Sequence, residues 1–314
     1  MRALFFGTPE IAVPALEALC EVAEVVGVVS QPDRPAGRGL ALRAPAVKER
    51  ALQLGLAVVQ PTKVRTDEFA AWVRSRDASV ALVMAYGRIL PPAVLDAPSR
   101  GCMNLHASLL PKYRGASPIT WAVVHGERET GISLMQMDAG LDTGPVYAMR
   151  RITIDSNETS GELAVRLARL AADVVRDELV AAMDGRLCAE AQDAGRATLA
   201  PILTREHGRL DWGRSAHELH DHVRGMQPWP GAWTRLRGKL MKVLRTRERS
   251  EVGVDAAPGT VVLADGGGLV VACRQGSLEL LQVQLEGRKA MAARDFVAGR
   301  AVQAGDRLGT ASGE

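Results

Sequence analysis

An α/β domain with a mostly parallel sheet covered by helices on both faces, followed by a small β-barrel or sandwich domain, is the fold class that this 314-residue sequence predicts. Three observations predict it. From residue 1 to about 184, β-branched apolar runs alternate with stretches of helical spacing. From 185 to about 204 both signals fade. Beyond 205, short strand candidates follow one another, separated by Gly-containing turns. The expected division is residues 1–188 for the first domain, 189–204 for a linker and 205–314 for the barrel domain.

The first strand is the apolar run of residues 2–6, and Thr8-Pro9-Glu10 after it signals a helix start. Ile11 to Val22 has helical spacing, and Val25 to Val29 reads as a buried strand, which completes a βαβ opening. A helix over Val47 to Leu54, a strand over Ala57 to Gln60, a helix near Asp67 to Arg74 and a strand over Ser79 to Ala85 repeat the alternation. Strands over Cys102 to Ala107 and Ser133 to Met137 follow. Ser160 is placed to cap one long amphipathic helix, Glu162 to Met183, whose leucines repeat at helical spacing. In the last third, a short helix over Ser215 to Val223 precedes strands near Ala232–Leu236, Met241–Leu244, Thr260–Leu263, Leu269–Ala272 and Leu278–Val283.

Hydrophobic residues make up 47% of the chain and charged residues 24%, the balance of an ordinary globular protein. The first apolar run is too short for a signal peptide, and no apolar stretch approaches the roughly 18 residues a membrane helix needs, so the protein is expected in the cytoplasm. Cys20, Cys102, Cys188 and Cys273 are scattered without a CxxC pair and read as reduced packing residues. Net charge is only +3, but residues 205–314 carry 17 Lys and Arg against 13 Asp and Glu, whereas residues 1–204 carry 22 against 23. Seven basic residues between Arg235 and Arg249 face a single acid, Glu248, and that skew favours a nucleic-acid surface. The loop from Gln31 to Pro45 holds Arg34, Arg38 and Arg43 against one acid, and reads either as a solvated connection or as an arm for a phosphate-bearing substrate.

Neither GxGxxG nor GxxxxGK[ST] is present, so dinucleotide and phosphate-loop chemistry are not expected. His217, His220 and His222 lack a matching acidic or cysteine frame and read as surface or interdomain residues, with no metal expected. The most informative stretch is Asn104-Leu-His106-Ala-Ser108-Leu-Leu-Pro111, joined later by Gly140-Leu-Asp142-Thr-Gly144. An amide, an imidazole and a carboxylate stand there in polar settings between apolar runs. They could form a satisfied structural cluster, or they could act jointly in catalysis. With no serine or cysteine in a nucleophile motif, the nucleophile would come from a substrate, which points to group transfer.

Taken with Gln31-Pro-Asp-Arg-Pro-Ala-Gly-Arg-Gly39, Arg114-Gly-Ala-Ser-Pro-Ile119, Met135-Gln-Met-Asp138 and Gln227-Pro-Trp-Pro230, these motifs make the chain resemble the methionyl-tRNA formyltransferase family along its length. The Asn-x-His and Leu-Asp-Thr-Gly elements are shared with other formyltetrahydrofolate-dependent transferases and hydrolases; the Arg-rich loop and the C-terminal domain narrow the choice. The resemblance implies a Rossmann-like formyltransferase domain joined to an OB-like barrel, and 10-formyltetrahydrofolate as formyl donor. It also implies methionyl-initiator tRNA as acceptor; the chain is expected to be a monomer. Asn104, His106 and Asp142 then take the catalytic positions. The folate is expected on Ser108, Leu109, Leu110 and Pro111, with a cis Leu110–Pro111 bond, and on the loop of Tyr86, Gly87 and Ile89. The tRNA is expected on Arg34, Arg38 and Arg43, and on Arg237, Lys239 and Lys242 of the barrel. Where many members follow Gly-Arg-Gly with two lysines, this chain has Leu40 and Ala41. A small-amine acceptor, a formate-releasing hydrolase and a tRNA-binding module with an inactive transferase domain are the alternatives.

Overall fold

The computed structural model describes residues 1–36, 41–249 and 255–309. Two compact units emerge: one of residues 1–118, 129–153 and 164–201, the other of residues 119–128, 154–163 and the chain from 202 onward.

The first unit is built on a seven-stranded sheet. Its strands are β1 (Arg2–Gly7), β2 (Glu24–Val29), β5 (Val58–Val59), β6 (Val80–Met84), β7 (Cys102–His106), β8 (Glu129–Gln136) and β9 (Val146–Thr153), in the order β5-β2-β1-β6-β7-β8-β9. A separate hairpin pairs β3 (Arg34–Ala36) with β4 (Ala41–Arg43). The first five strands of the sheet run parallel, as alternation with helices requires, and β8 and β9 turn antiparallel to finish the edge. The connecting helices are α1 (Val13–Val22), α2 (Ala46–Gln53), α3 (Asp67–Ser75) and the single turn α4 (Pro92–Leu95). Phe6, Phe69 and Tyr86 meet edge to face in the core between sheet and helices.

Strand order reverses at β1 and β6, the place in such sheets where ligands bind beyond the carboxyl ends of the strands. Here the loops are tied together. Thr8, expected as a helix cap, instead donates its hydroxyl to the Tyr86 carbonyl at 3.1 Å, and Gln31 donates to the same oxygen at 3.3 Å. The chain enters α1 through a 3-10 turn over Glu10–Ala12.

Several expected elements shift, each for a local reason. β8 starts at Glu129, earlier than expected, because Gly131 is needed inside it; a methyl there would come 1.9 Å from the Arg150 carbonyl of β9. β9 itself was not expected, since Arg150 and Arg151 interrupt its apolar face. The long helix begins at Ser160, but its capping pair is Thr159 with Glu162; Ser160 donates its hydroxyl to the carbonyls of Gly225 and Gln227. Between α5 (Pro118–Val124) and the chain end, this helix divides into α6 (Ser160–Val174), a π turn over Val175–Leu179 and α7 (Val180–Met183). Residues 189–201, expected as a linker, are bonded into the first unit: Val146 pairs with Glu190 and Arg114 with Leu199. Cys102 and Cys273 are buried and Cys20 partly so, whereas Cys188 is exposed and does no packing.

In the second unit, α8 (Ala216–Gly225), with Ser215 and Glu218 forming a capping box, packs against an antiparallel sheet. The strands are β10 (Ala232–Leu236), β11 (Lys239–Arg249), β12 (Val261–Asp265), β13 (Gly268–Ala272), β14 (Ser277–Leu285) and β15 (Met291–Ala292), with α9 (Ala293–Ala298) after them. The path runs β10-β11-β14-β13-β12, with β15 on β14. Its two edges are joined by one segment, because Leu308 bridges to Leu236 of β10 while Arg307 bridges to Thr260 just before β12. That closure makes the sheet the OB-like barrel the sequence predicts, filled by Trp212, Leu219, Val243, Leu269, Val283 and Phe296.

The three histidines of α8 correct the surface reading. His217 is exposed and pairs with Glu248 at 2.9 Å, but His220 and His222 are buried. His220 bonds Thr246 Oγ1 and the Ser156 carbonyl, each at 3.0 Å. Burial, with the Arg214 guanidinium at 3.3 Å, pushes the His222 imidazole down to about 4 from 6.5. A folded-state value below the unfolded one means the folded chain binds fewer protons between these pH values, so acid favours unfolding. Stability should therefore fall as pH drops from 6.5 toward 4, by up to ~3 kcal/mol. Urea melts at pH 7 and pH 4.5 check this: His222→Gln should reduce the difference, and an unchanged pH dependence would rule the residue out as its source.

Candidate active site

Asn104 and His106 lie two residues apart on β7, so their side chains leave the same face of the sheet. His106 is 5% exposed and its Nε2 lies 2.9 Å from the Tyr113 carbonyl. A carbonyl only accepts, so Nε2 carries a proton and donates it there. Nδ1 is left as the exchangeable nitrogen, and it faces Asp142 Oδ2 at 3.6 Å. That carboxylate in turn accepts the Gly115 backbone N–H at 2.8 Å. Among the described residues the half-buried Asn104 amide has no hydrogen-bond partner.

Two of the groups that hold His106 come from residues with left-handed backbone, Tyr113 at φ 61° and Asp142 at φ 53°. Non-glycine residues pay about 1–3 kcal/mol for such conformations, which concentrate where function needs them. The Asp142 turn explains its motif. Asp138 Oδ1 accepts from the Gly140 N–H at 2.9 Å and from the Thr143 hydroxyl at 2.7 Å. A methyl on Gly140 would fall 2.0 Å from Thr143 Oγ1, and one on Gly144 would fall 2.0 Å from the Gln136 carbonyl.

One residue of the site escaped the sequence reading altogether. Gln192, in the expected linker, donates from Nε2 to the carbonyls of Asp142 at 2.9 Å and Gly144 at 2.7 Å. Its Oε1 receives the buried Arg114 guanidinium through Nε at 3.1 Å and Nη2 at 2.7 Å. A lone glutamine in Ala-Gln-Asp-Ala carries no local signal for this role.

The expected folate segments divide. Ser108, Leu109, Leu110 and Pro111 form the turn that returns the chain beneath His106, with the Leu110–Pro111 peptide cis. Ser108 bonds the Lys112 carbonyl at 2.6 Å, Leu109 packs over Gly131, Leu110 is buried with Met135 and Val146, and Pro111 is partly exposed. Ser133 braces the turn by donating to the Ser108 carbonyl at 2.7 Å. In the other segment, Tyr86 anchors the loop, and burial of its phenol pushes it up to about 12. Gly87 takes φ 82°, and Ile89 is 63% exposed on a cavity of about 430 Å³. Ile89, Leu90, Pro91 and Pro92 give that cavity apolar walls, Ala139 closes one side, and Arg65, Thr66 and Asp67 supply polar groups.

The basic residues divide as well. Arg34 and Arg43 are directly opposed across the β3–β4 hairpin, both exposed. Arg38 lies outside the described residues. On the barrel Arg237 is committed to Asp306 at 2.7 Å, Arg245 to Glu162 at 2.6 Å, and Arg247 and Arg249 to Glu279. Lys239 and Lys242 are exposed and have no carboxylate partner among the described residues. Among the described residues no helix is long and apolar enough to cross a membrane.

A mostly parallel α/β sheet carrying Asn104 and His106 on β7, followed in the chain by an OB-like barrel, is the architecture of a group-transfer enzyme of the formyl transferase class. The formyl transferase family model matches residues 1–179, and that of the formyl transferase C-terminal domain matches residues 202–301. A methionyl-tRNA formyltransferase of Sorangium cellulosum is 62% identical over 98% of this chain and 100% of its own length. Another, of Myxococcus xanthus, is 49% identical over 98% and 97%. The chain belongs to the methionyl-tRNA formyltransferase family. Solved structures share the fold at low identity. The N-formyltransferase of Helicobacter canadensis in complex with folinic acid and dTDP-3-aminofucose has TM-score 0.66 and 14% identity over 88% of this chain and 98% of that one. HypX of Aquifex aeolicus in complex with tetrahydrofolic acid has TM-score 0.61 and 16% identity over 95% of this chain and 47% of that one.

Proposed function

We propose that this protein transfers the formyl group of 10-formyltetrahydrofolate to the α-amino group of methionyl-initiator tRNA, as a cytoplasmic monomer without a metal ion. The observation that carries the reading is the His106 Nδ1–Asp142 Oδ2 pair on the same loop-and-strand set as the Asn104 amide, which has no partner among the described residues. Family membership supports the acceptor. The largely apolar lining of the cavity from Ile89 to Ala139 suits a heteroaromatic ring, with Arg65, Thr66 and Asp67 available to its polar edge. In this reading the folate is held by the turn of Ser108, Leu109, Leu110 and Pro111 and by the loop of Tyr86, Gly87 and Ile89.

The folate supplies an activated formyl group when bound. As the amine nitrogen bonds to the formyl carbon, negative charge gathers on the formyl oxygen; the bond from that carbon to the folate nitrogen then breaks, and the proton lost by the amine ends on the departing folate nitrogen. The Asn104 amide donates to that oxygen. His106 Nδ1 supports the same charge as part of an imidazolium, or passes the proton, while Nε2 remains committed to Tyr113. Asp142 Oδ2 stabilises the imidazolium and holds the ring in one orientation.

For the acceptor, the opposed Arg34 and Arg43 are an unfavourable pair until an anion lies between them, which suits a phosphate backbone. Arg38, between the two strands, is proposed to reach the acceptor end. Lys239 and Lys242, without a carboxylate partner among the described residues, are barrel cations proposed to meet tRNA phosphates; Arg237 contributes less because Asp306 holds it. Replacing both Arg34 and Arg43 by Ala should raise KM for charged tRNA several-fold at unchanged kcat, and flatten the salt dependence of binding by about 2 in log–log slope. Initial rates across a salt series measure this; an unchanged KM and slope would remove the hairpin from the tRNA surface.

A further inference from the structure

We propose that Gln192, held by Arg114, is a positioning residue that fixes the Asp142 carboxylate against His106. The inference rests on the functional reading above for its kinetic consequence and on geometry for its existence. Gln192 lies between the two segments matched by the formyl transferase family models, at residues 1–179 and 202–301.

A guanidinium has donors only, so the two Arg114 bonds fix which end of the Gln192 amide is oxygen. The NH2 end must then face the turn, where its two hydrogens serve two carbonyls, those of Asp142 and Gly144. One side chain therefore clamps both sides of the Leu141–Gly144 turn. The clamp acts where it is needed, because Asp142 is held at φ 53°, a conformation its own backbone does not favour. Gly115, next to Arg114 in the chain, donates to the Asp142 carboxylate itself. Residues 114 and 115 thus hold Asp142 at both ends, its carboxylate by a backbone N–H and its carbonyl through Gln192. Arg114 is 9% exposed, and its two bonds to Gln192 give that burial a purpose. With the clamp removed, the turn can relax toward right-handed backbone, which swings Oδ2 away from Nδ1.

Two readouts test this in the full-length protein. The first is steady-state formylation of methionyl-tRNA by Gln192→Ala, where kcat should fall about 10- to 100-fold, the scale on which losing a residue that orients a metal ligand acts, while KM for folate and tRNA stays within about twofold. The second needs no substrate: the His106 imidazole NMR signals, assigned with His106→Ala, should move in Gln192→Ala. If Gln192→Ala folds poorly, Gln192→Glu keeps the shape and the Arg114 contact but loses both donors, and should show the same loss and shift. Wild-type kcat together with unmoved His106 signals would overturn the proposal. Failure of the wild-type chain to formylate methionyl-tRNA would instead overturn the functional reading, and the imidazole signals would still decide whether the clamp exists.

Discussion

Asp142→Asn lowers kcat for formyl transfer by roughly 100- to 10,000-fold, the range expected when proton handling is removed, with folding and tRNA binding retained. The substitution is nearly isosteric, so the Gly115 N–H still finds an oxygen. What is lost is the charge facing His106 Nδ1 at 3.6 Å. An imidazolium formed during transfer then has no counter-charge, and the ring is free to turn about its bond to Tyr113. His106→Ala removes the exchangeable nitrogen itself and leaves the Tyr113 carbonyl unpaired, so its loss should match or exceed that of Asp142→Asn. Single-turnover rates with saturating formyl donor and charged tRNA measure both variants, with circular dichroism and tRNA binding as controls. Full turnover by either purified variant would sink the assignment.

Asn104→Ala is expected to cost roughly 100- to 1,000-fold in kcat, the usual loss of a single oxyanion donor. Its amide has no partner among the described residues, so truncation breaks no internal hydrogen bond and stability should change little. A large kcat effect with a small change in Tm is the signature of a group reserved for the reaction. The reverse pattern, a large drop in Tm with kcat intact, would make Asn104 a structural residue of β7.

The sheet was legible because a buried parallel strand must be apolar throughout, as in Val80 to Met84. Edge elements were harder. β9 carries Arg150 and Arg151 because one of its faces is open to solvent, and the β3–β4 hairpin is too short and too charged to resemble a strand pair. Asn104, His106 and Asp142 stood out as candidates because packing has no use for such groups between apolar runs, and the structure brings His106 and Asp142 together. The support around it was not. The Tyr113 carbonyl and the Gly115 N–H are backbone groups that any residue would supply, so only coordinates show which of them face His106 and Asp142. Gln192 is invisible for a different reason: its partners lie about fifty positions or more away, and local polarity makes its surroundings look like a connection. Charge counting overstated the barrel surface for a similar reason, since Glu279, Glu162 and Asp306, all distant in sequence from β11, take up four of its neighbouring arginines.

One assay bears most directly on the central claim, that the Asn104–His106–Asp142 site places a formyl group on the amine of charged tRNA. The purified protein is incubated with 10-formyltetrahydrofolate and methionyl-initiator tRNA, and the amino acid is released and analysed. Formylmethionine should accumulate with wild-type protein, at a rate that falls to near background with Asp142→Asn, while free methionine and amino sugars accept nothing. Formate released at the same rate with and without tRNA, or formyl transfer to a small amine in place of methionyl-tRNA, would contradict it.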